Sequence, residues 1–415
     1  MPPLPLTLTV ILAFYVAWNL GANDVANSMG TSVGSKALTL TQAIIVAGVL
    51  EFSGAVLFGQ KVSSTLATEV ANPQLFAENP QVLLLGMVSV LIAVGTWLQI
   101  ATSKGLPVAT SHAVVGAIAG FSWLAVGVDA IAWGSIGIIS LAWVITPVIS
   151  GIVAALFYSI IKQGILDRDD SLAALEEWIP WLSAILLTVF GVIVLPSLFD
   201  QPLFTSLSLP THDFSLAIGA IAAVGLSFFS WGSLAKLRVK GQENLVEKQL
   251  GKFQVLSACF VAFAHGSNDV GNAIAPLAAI AYIFKTNTVP INNLDVPEWI
   301  LILGGLGIVA GLAVQGKKVI STVGEDIIPL QPSSGFCAEI ATAATILVAS
   351  RFGLPVSTSH ALVGGVVGIG LLQNWRKVRF QTLKSVAFAW LFTLPFAGIL
   401  AAICFVILRY FFLPN

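Results

Sequence analysis

Apolar runs long enough to cross a bilayer follow one another along the whole chain. They fall near 6–26, 41–59, 82–101, 108–126, 131–160, 181–199, 214–232, 253–284, 299–315, 335–350, 356–372 and 385–412. A spanning helix needs about 20 consecutive apolar residues, so the pattern predicts about twelve transmembrane segments. The runs do not alternate apolar with polar positions, which excludes a β-barrel. Two polar stretches, 162–178 and 235–252, interrupt the middle of the chain. Asp167, Asp169, Asp170, Glu176 and Glu177 make the first of them acidic, and it reads as a short amphipathic surface helix with a solvated face.

The polar positions inside the runs repeat. Gly21-Ala22-Asn23-Asp24-Val25-Ala26-Asn27-Ser28 returns as Gly266-Ser267-Asn268-Asp269-Val270-Gly271-Asn272-Ala273. Gly59-Gln60-Lys61-Val62-Ser63-Ser64-Thr65 matches Gly316-Lys317-Lys318-Val319-Ile320-Ser321-Thr322. The closest pair is Gly105-Leu106-Pro107-Val108-Ala109-Thr110-Ser111-His112-Ala113 with Gly353-Leu354-Pro355-Val356-Ser357-Thr358-Ser359-His360-Ala361. Trp143 and Thr146 are echoed more weakly by Trp390 and Thr393. The chain therefore reads as a duplication: repeat 1 over 1–160, a central join with two spans over 161–252, and repeat 2 over 253–415. Repeat 2 begins seven spans after repeat 1, an odd number, so the repeats enter the membrane from opposite sides. An all-α integral membrane protein with two inverted-topology repeats is the expected fold, a plan shared by many secondary transporters. The parity holds whether the segments near 82–126 and 335–372 span or re-enter.

Orientation follows from Lys and Arg in the loops. Lys236, Arg238, Lys240, Lys248 and Lys252 cluster before the eighth run, and Arg376, Lys377, Arg379 and Lys384 before the last, whereas 200–213 has neither residue type. Placing both clusters inside puts the N- and C-termini outside. The N-terminus lacks the basic region of a signal peptide, so residues 6–22 are expected to be a retained first span.

Composition agrees: 57% of the 415 residues are hydrophobic and only 9% charged, against about 25% charged in soluble domains. Lipid is thus the expected surrounding. A net charge of −1 gives no basis for a nucleic-acid partner or a polybasic tether. Cys259, Cys337 and Cys404 lie far apart in apolar runs, without metal-ligand spacing.

The chemistry sits in the repeated motifs. A carboxylate at membrane depth costs roughly 2.5–3.5 kcal/mol on insertion scales, so Asp24 and Asp269 are candidates for function rather than helix caps. Pro107 and Pro355 cannot continue a preceding helix, and Gly105 and Gly353 loosen it further. Each motif therefore predicts a helix broken and restarted inside the membrane. Thr110-Ser111 and Thr358-Ser359 are suited to N-cap the restarted halves, whose free N–H groups and positive dipole ends attract anions. Two such ends facing across an inverted repeat enclose an anion at the midplane. His112 and His360 are expected to be packing groups, satisfied by one neighbour each. Asn23, Asn27, Asn268 and Asn272 supply amide oxygens beside the carboxylates, a donor set for a hard cation. Unwound carbonyls at a helix break add ligands of the same kind. Sodium fits, the same carboxylates could instead take up protons, and the amides, which do not titrate, favour sodium.

The doubled Gly-x-Asn-Asp-Val-x-Asn and the doubled Gly-Leu-Pro-Val-x-Thr-Ser-His together resemble the inorganic phosphate transporter family, the phosphate permeases coupled to sodium or protons. The resemblance covers the chain except its central join and implies an inverted-repeat transporter that works as a homodimer. It implies phosphate at Asp24, Asp269, Thr110, Ser111, Thr358 and Ser359, and sodium at Asn23, Asn27, Asn268 and Asn272. It adds two membrane glutamates, Glu51 and Glu339, as further candidates; neither is repeated, since Ile308 and Leu91 stand at their counterparts. The long central loop of eukaryotic members is missing, which points to a bacterial inner membrane.

The expectation is thus a multi-pass cell-membrane symporter importing inorganic phosphate, with no covalent chemistry and no cofactor beyond the co-transported sodium ion or proton. Phosphate keeps one or two protons at neutral pH and can donate to Asp24 and Asp269. Sulfate keeps none and would leave buried carboxylates facing a second unpaired anion. The rivals are a sulfate permease on the same fold, a channel, and an intramembrane hydrolase using the two Asp residues as acid and base. The absence of a nucleophile or metal triad beside them counts against the hydrolase. No Arg or Lys lies inside the motifs, and Lys61 and Lys104 at span ends are expected to snorkel.

Overall fold

The computed structural model describes residues 6–104, 108–199, 211–239, 244–291, 294–323 and 330–413. Gly105, Leu106 and Pro107 of the first break, Lys240, both chain ends and most of the 200–213 loop lie outside the described residues. In chain order the helices of repeat 1 are α1 (Leu6–Gly34), α2 (Leu40–Phe58), α3 (Gln60–Thr68), α4 (Pro80–Ser103), α5 (Thr110–Val126) and α6 (Trp133–Ile161). Two long helices follow in the middle, α7 (Ser171–Ile193) and α8 (Thr211–Val239), with a five-residue helix, Leu195–Phe199, between them. The rest are α9 (Leu245–Thr286), α10 (Glu298–Val323), α11 (Pro332–Arg351), α12 (Thr358–Asn374) and α13 (Phe380–Phe412).

Each predicted apolar run corresponds to one of these helices, the 181–199 run also taking in the short Leu195–Phe199 helix, and α3 is an additional short one. Nine helices among the described residues are long and apolar enough to cross a membrane. At 1.5 Å per residue the 17-residue α5 and α12 reach only about 26 Å, short of a hydrocarbon core of about 30 Å. Both start inside the protein: Val108, Ala109 and Thr110 are buried, as are Val356, Ser357 and Thr358. They are half-helices. The break before α12 turns at Gly353, whose φ of +70° lies in the left-handed region that favours glycine. Ser357 then caps α12 by accepting from the His360 N–H. The sequence reading assigned that role to Thr358-Ser359 and, in repeat 1, to Thr110-Ser111. Instead these residues open the helices, and Ala109 precedes α5 with no side-chain cap.

Two further readings change. The acidic 162–178 stretch is not a separate surface helix: a π-helical turn over Lys162–Leu166 leads to α7, which Asp170 caps and which runs through Glu176 and Glu177. Leu175, Ile179, Leu182 and Leu186 form one buried stripe at helical spacing, so the apolar face continues through the charged turn. The Gly59 and Gly316 motifs match in sequence but not in shape. Gly59 ends α2 and starts α3, whereas Gly316 lies within the unbroken α10.

The repeats interleave. α1 packs against α10 and its counterpart α9 against α2; α5 packs against α13 and its counterpart α12 against α6. The motif glycines permit the first crossing. A Cβ on Gly21 would run into the Ile308 carbonyl, and one on Gly266 into the Glu51 carbonyl, which is the same contact in the other repeat. Small residues let membrane helices approach this closely. Outside the bundle, Ile221, Phe229 and Leu391 project from the protein, as a lipid-facing surface requires. The core of the interleaved helices is where the polar motifs meet.

Candidate functional site

The motif stretch of α1 is buried all round, from Asn19 to Ser32, and so is the equivalent stretch of α9. Asn23, Asp24, Asn27, Ser28 and Thr31 form a polar stripe at helical spacing on α1; His265, Asn268, Asp269 and Asn272 do the same on α9. Both helices are continuous through the motif, so the Asp and Asn residues are not caps and the carbonyls beside them are not unwound. The broken backbone lies on the opposing half-helices.

Each half-helix meets the Asp of its own repeat. Thr110 donates from Oγ1 to Asp24 Oδ2 at 2.7 Å, and Thr358 from Oγ1 to Asp269 Oδ2 at 2.9 Å. A carboxylate, a threonine hydroxyl and a helix start therefore come together twice. Asn27 reaches across the repeats, donating to Ser359 Oγ at 2.8 Å, with Asp24 Oδ1 at 3.5 Å on the same amide. Its counterpart Asn272 donates to Asp269 Oδ1 at 3.2 Å, while Asn272 Oδ1 and Ser111 Oγ are buried without a protein partner among the described residues. Asn23 donates to Thr102 Oγ1 at 3.1 Å. Asn268 donates to Ser350 Oγ at 2.9 Å and to the Leu354 carbonyl at 3.1 Å, and it accepts from the Val356 N–H at 3.3 Å. Asn268 thus ties α9 to the backbone of the break.

Three further groups lack a counterpart in the other repeat. His265, which the sequence reading passed over, places Nε2 3.0 Å from Asp269 Oδ2 and Nδ1 3.1 Å from Glu51 Oε2. Asp24, His265 and Asp269 each offer a ligand atom within 4.8 Å of the others. An imidazole facing two carboxylate oxygens attracts both when each ring nitrogen carries a proton, so His265 can act as a resident positive group. The signal for it was its position four residues before Asp269, on the same helix face. Glu51 also accepts from Ser28 Oγ at 2.8 Å, which joins α2 to both motif helices. Glu339 lies further along α1, away from the paired Asp residues. It accepts from Thr31, Ser32 and Gln254 on one oxygen and from Ser257 on the other, at 2.6–3.1 Å. Four donors make it a joint between α1, α9 and α11.

His112 and His360 are packing groups. The His112 ring sits 3.8 Å from that of Trp143 with Nδ1 at 3.1 Å from the Trp390 carbonyl. His360 sits 3.7 Å from Trp390 with Nδ1 at 3.0 Å from the Trp143 carbonyl. The weak Trp echo in the sequence is this exchange between α6 and α13.

Chemically, the arrangement offers acceptors, hydroxyls and two dipole ends around one point, with amide and carboxylate oxygens beside them. Such a donor set can hold a protonated oxyanion and a hard cation together.

A family model described as the phosphate transporter family matches residues 20–401. A Haemophilus influenzae protein named as a phosphate permease is 39% identical over 409 residues, 98% of this chain and 97% of its own. Inorganic phosphate transporter 2-1, chloroplastic, of Arabidopsis thaliana is 37% identical over 421 residues, 95% of this chain and 70% of its own. Among solved structures, one described as the sodium-dependent phosphate transporter matches with a TM-score of 0.89 at 34% identity, covering 98% of this chain and 99% of that one.

Proposed function

The chain belongs to the phosphate transporter family, and from that premise we propose that it imports inorganic phosphate across the cell membrane by sodium symport with alternating access. Phosphate is held by Asp24, Thr110, Ser111, Asp269, Thr358 and Ser359. Sodium is held beside it by Asn23, Asn27, Asn268 and Asn272, with the Asp carboxylates shared between the two. The observation that carries this reading is the doubled Asp–Thr contact at two buried helix starts. A dihydrogen or monohydrogen phosphate can donate to the carboxylates and accept from the hydroxyls and helix N–H groups, a match that sulfate cannot make.

The coupling has an electrostatic basis. Two carboxylates and an anion in one low-dielectric site repel each other strongly. His265 offsets part of that charge through Asp269, and a bound cation supplies the rest near Asp24, which has Leu20 where repeat 2 has His265. Linkage then requires phosphate and sodium to tighten each other's binding by the same factor. The solved relative described as sodium-dependent supports sodium over protons. Uptake of labelled phosphate into proteoliposomes, with sodium and pH gradients varied separately, tests the reading. Full-rate uptake without sodium, driven by a pH gradient alone, would replace sodium by protons, and uptake that neither gradient drives would end the symport reading.

The same reading includes a homodimer with its termini outside. Crosslinking in native membranes and thiol labelling from outside test those two points.

A further inference from the structure

A cavity of about 820 Å³ lies between α4 and α13, within the range of about 300–1,000 Å³ usual for ligand sites. Its wall is aromatic over most of its length. Trp97 of α4 packs on Phe396 at 4.5 Å between ring centroids, and Phe396, Phe392 and Phe388 follow one another along α13 at 5.5 and 6.2 Å. Phe388 and Phe392 are 68% and 46% exposed, so the cavity is a groove on the surface that α13 presents to lipid.

The polar end of the groove is cationic. Lys104 directly follows the last residue of α4, and Lys384 lies near the start of α13; both line the groove and both are exposed. Of the two span-end lysines, Lys61 does not snorkel, because it donates to the Arg351 carbonyl at 3.2 Å. Lys104 has no hydrogen-bond or ion-pair partner for its side chain among the described residues, and neither has Lys384. None of the described residues lining the groove is acidic. Arg376, Lys377 and Arg379 precede Lys384 in the chain, and this cluster is the one that the charge distribution places inside. The inner leaflet carries anionic lipids, and basic pockets between membrane helices on that side bind their head groups.

The dimensions agree with one leaflet. From Lys384 to Phe396 the helix rises about 18 Å, against about 15 Å for half of a hydrocarbon core. An occupant that is anionic at one end and hydrocarbon along the rest matches both the charge and the wall. We propose that the groove holds one anionic phospholipid of the inner leaflet, its phosphate between Lys104 and Lys384 and an acyl chain along the Trp97–Phe388 wall. Val108, which leads into α5, lines the same groove, so the lipid packs beside the break of repeat 1. The site is separate from Asp24 and Asp269, and the proposal does not depend on what the protein transports.

The test is native mass spectrometry of the full-length protein, delipidated in detergent and titrated with phosphatidylglycerol or phosphatidylcholine. Wild type should bind phosphatidylglycerol in preference to phosphatidylcholine. Lys104→Gln and Lys384→Gln should each weaken phosphatidylglycerol binding about fivefold and the double variant about twentyfold, in line with the worth of a basic residue near an anionic head group. Phosphatidylcholine binding should not change, and Lys104→Arg and Lys384→Arg should bind as wild type does. Thermal unfolding without lipid should be the same for wild type and the double variant, since both lysines are exposed, and added phosphatidylglycerol should stabilise only wild type. Equal binding of phosphatidylglycerol by wild type and the double variant, or no preference for it over phosphatidylcholine, overturns the proposal. Lysine-dependent stabilisation by inorganic phosphate in lipid-free detergent would make this a free-anion site and overturn it as well. A double variant that turns from dimer to monomer with its lipid count unchanged would assign the face to a second copy of the chain instead.

Discussion

Repeat 1 and repeat 2 present the same contacts to the centre and different charges behind them. Asp24–Thr110 and Asp269–Thr358 are equivalent pairs of similar length. Behind Asp269 stands His265, and behind His265 stands Glu51, whereas the counterparts of His265 and Glu51 are Leu20 and Ile308. One cross-repeat bond is closed, Asn27 to Ser359, and its equivalent between Asn272 and Ser111 is open. The difference teaches a division of labour. On the proposed function, what both halves share is what would contact substrate, handled alike from either side of the membrane. On the same proposal, what only one half has would set the charge balance, which a single fixed site needs once.

The largest effect should come from the shared groups. Asp24→Asn and Asp269→Asn should each lower phosphate uptake at least about a hundredfold in folded protein. Each replaces a buried acceptor and charge whose hydrogen bonds are worth about 1.5–3 kcal/mol apiece. Uptake assays on purified variants check this, and wild-type transport by either one would break the equivalence.

Charge balance is the next point of attack. His265→Leu gives repeat 2 the residue of repeat 1 and strands Glu51 and Asp269 without the imidazole between them. Removing one partner of a buried pair costs about 3–5 kcal/mol, so thermal unfolding in detergent should move sharply downward. Glu51→Ile combined with His265→Leu should recover part of that loss, since coupled neighbours are not additive. Additive losses would mean that the two side chains act independently.

The duplicated half of this comparison was legible in the sequence, because a matched Asp or Thr-Ser pair announces itself by recurring. The helix breaks were legible for the same reason, through Gly353 and Pro355. The unshared half was legible only in part. His265 and Glu51 meet across more than two hundred residues and neither has an internal echo; Glu51 entered only through the family resemblance, and the i,i+4 spacing of His265 to Asp269 was its one local signal. The capping role of Ser357 was hidden because Ala109 stands at the matching place. The continuity of α9 through the motif was legible in the unbroken 253–284 run, whereas the run of α1 ended at 26, inside its motif. Asn and Asp favour helix ends by local propensity, yet here both sit inside buried helices with their side chains bonded to neighbouring elements.

A smaller effect tests the interleaving. Gly21→Ala and Gly266→Ala each insert a methyl group against a backbone carbonyl, from Ile308 and from Glu51. Overpacking of this kind costs typically about 1–3 kcal/mol, and the two variants should lose similar stability in thermal unfolding. A large loss at one position and none at the other would show that the two crossings are not equivalent.

The smallest effect is the most discriminating, because it sets the closed cross-repeat bond against the open one. Ser359→Ala removes the acceptor of the Asn27 amide and leaves a buried donor with only the 3.5 Å contact to Asp24. An unsatisfied buried donor costs about 1–3 kcal/mol, so this variant should be less stable even without ligand. Ser111 Oγ has no protein partner among the described residues, so Ser111→Ala removes an unsatisfied buried hydroxyl and should not lower the stability of the unliganded protein. If the open hydroxyl serves the substrate, its loss should appear only when phosphate and sodium are present. Their stabilising effect on thermal unfolding should shrink, and KM for phosphate should rise about threefold to tenfold, the worth of one hydrogen bond of about 0.5–1.5 kcal/mol. Equal behaviour of the two variants, with and without ligand, would mean that the open and closed bonds do not divide structure from substrate.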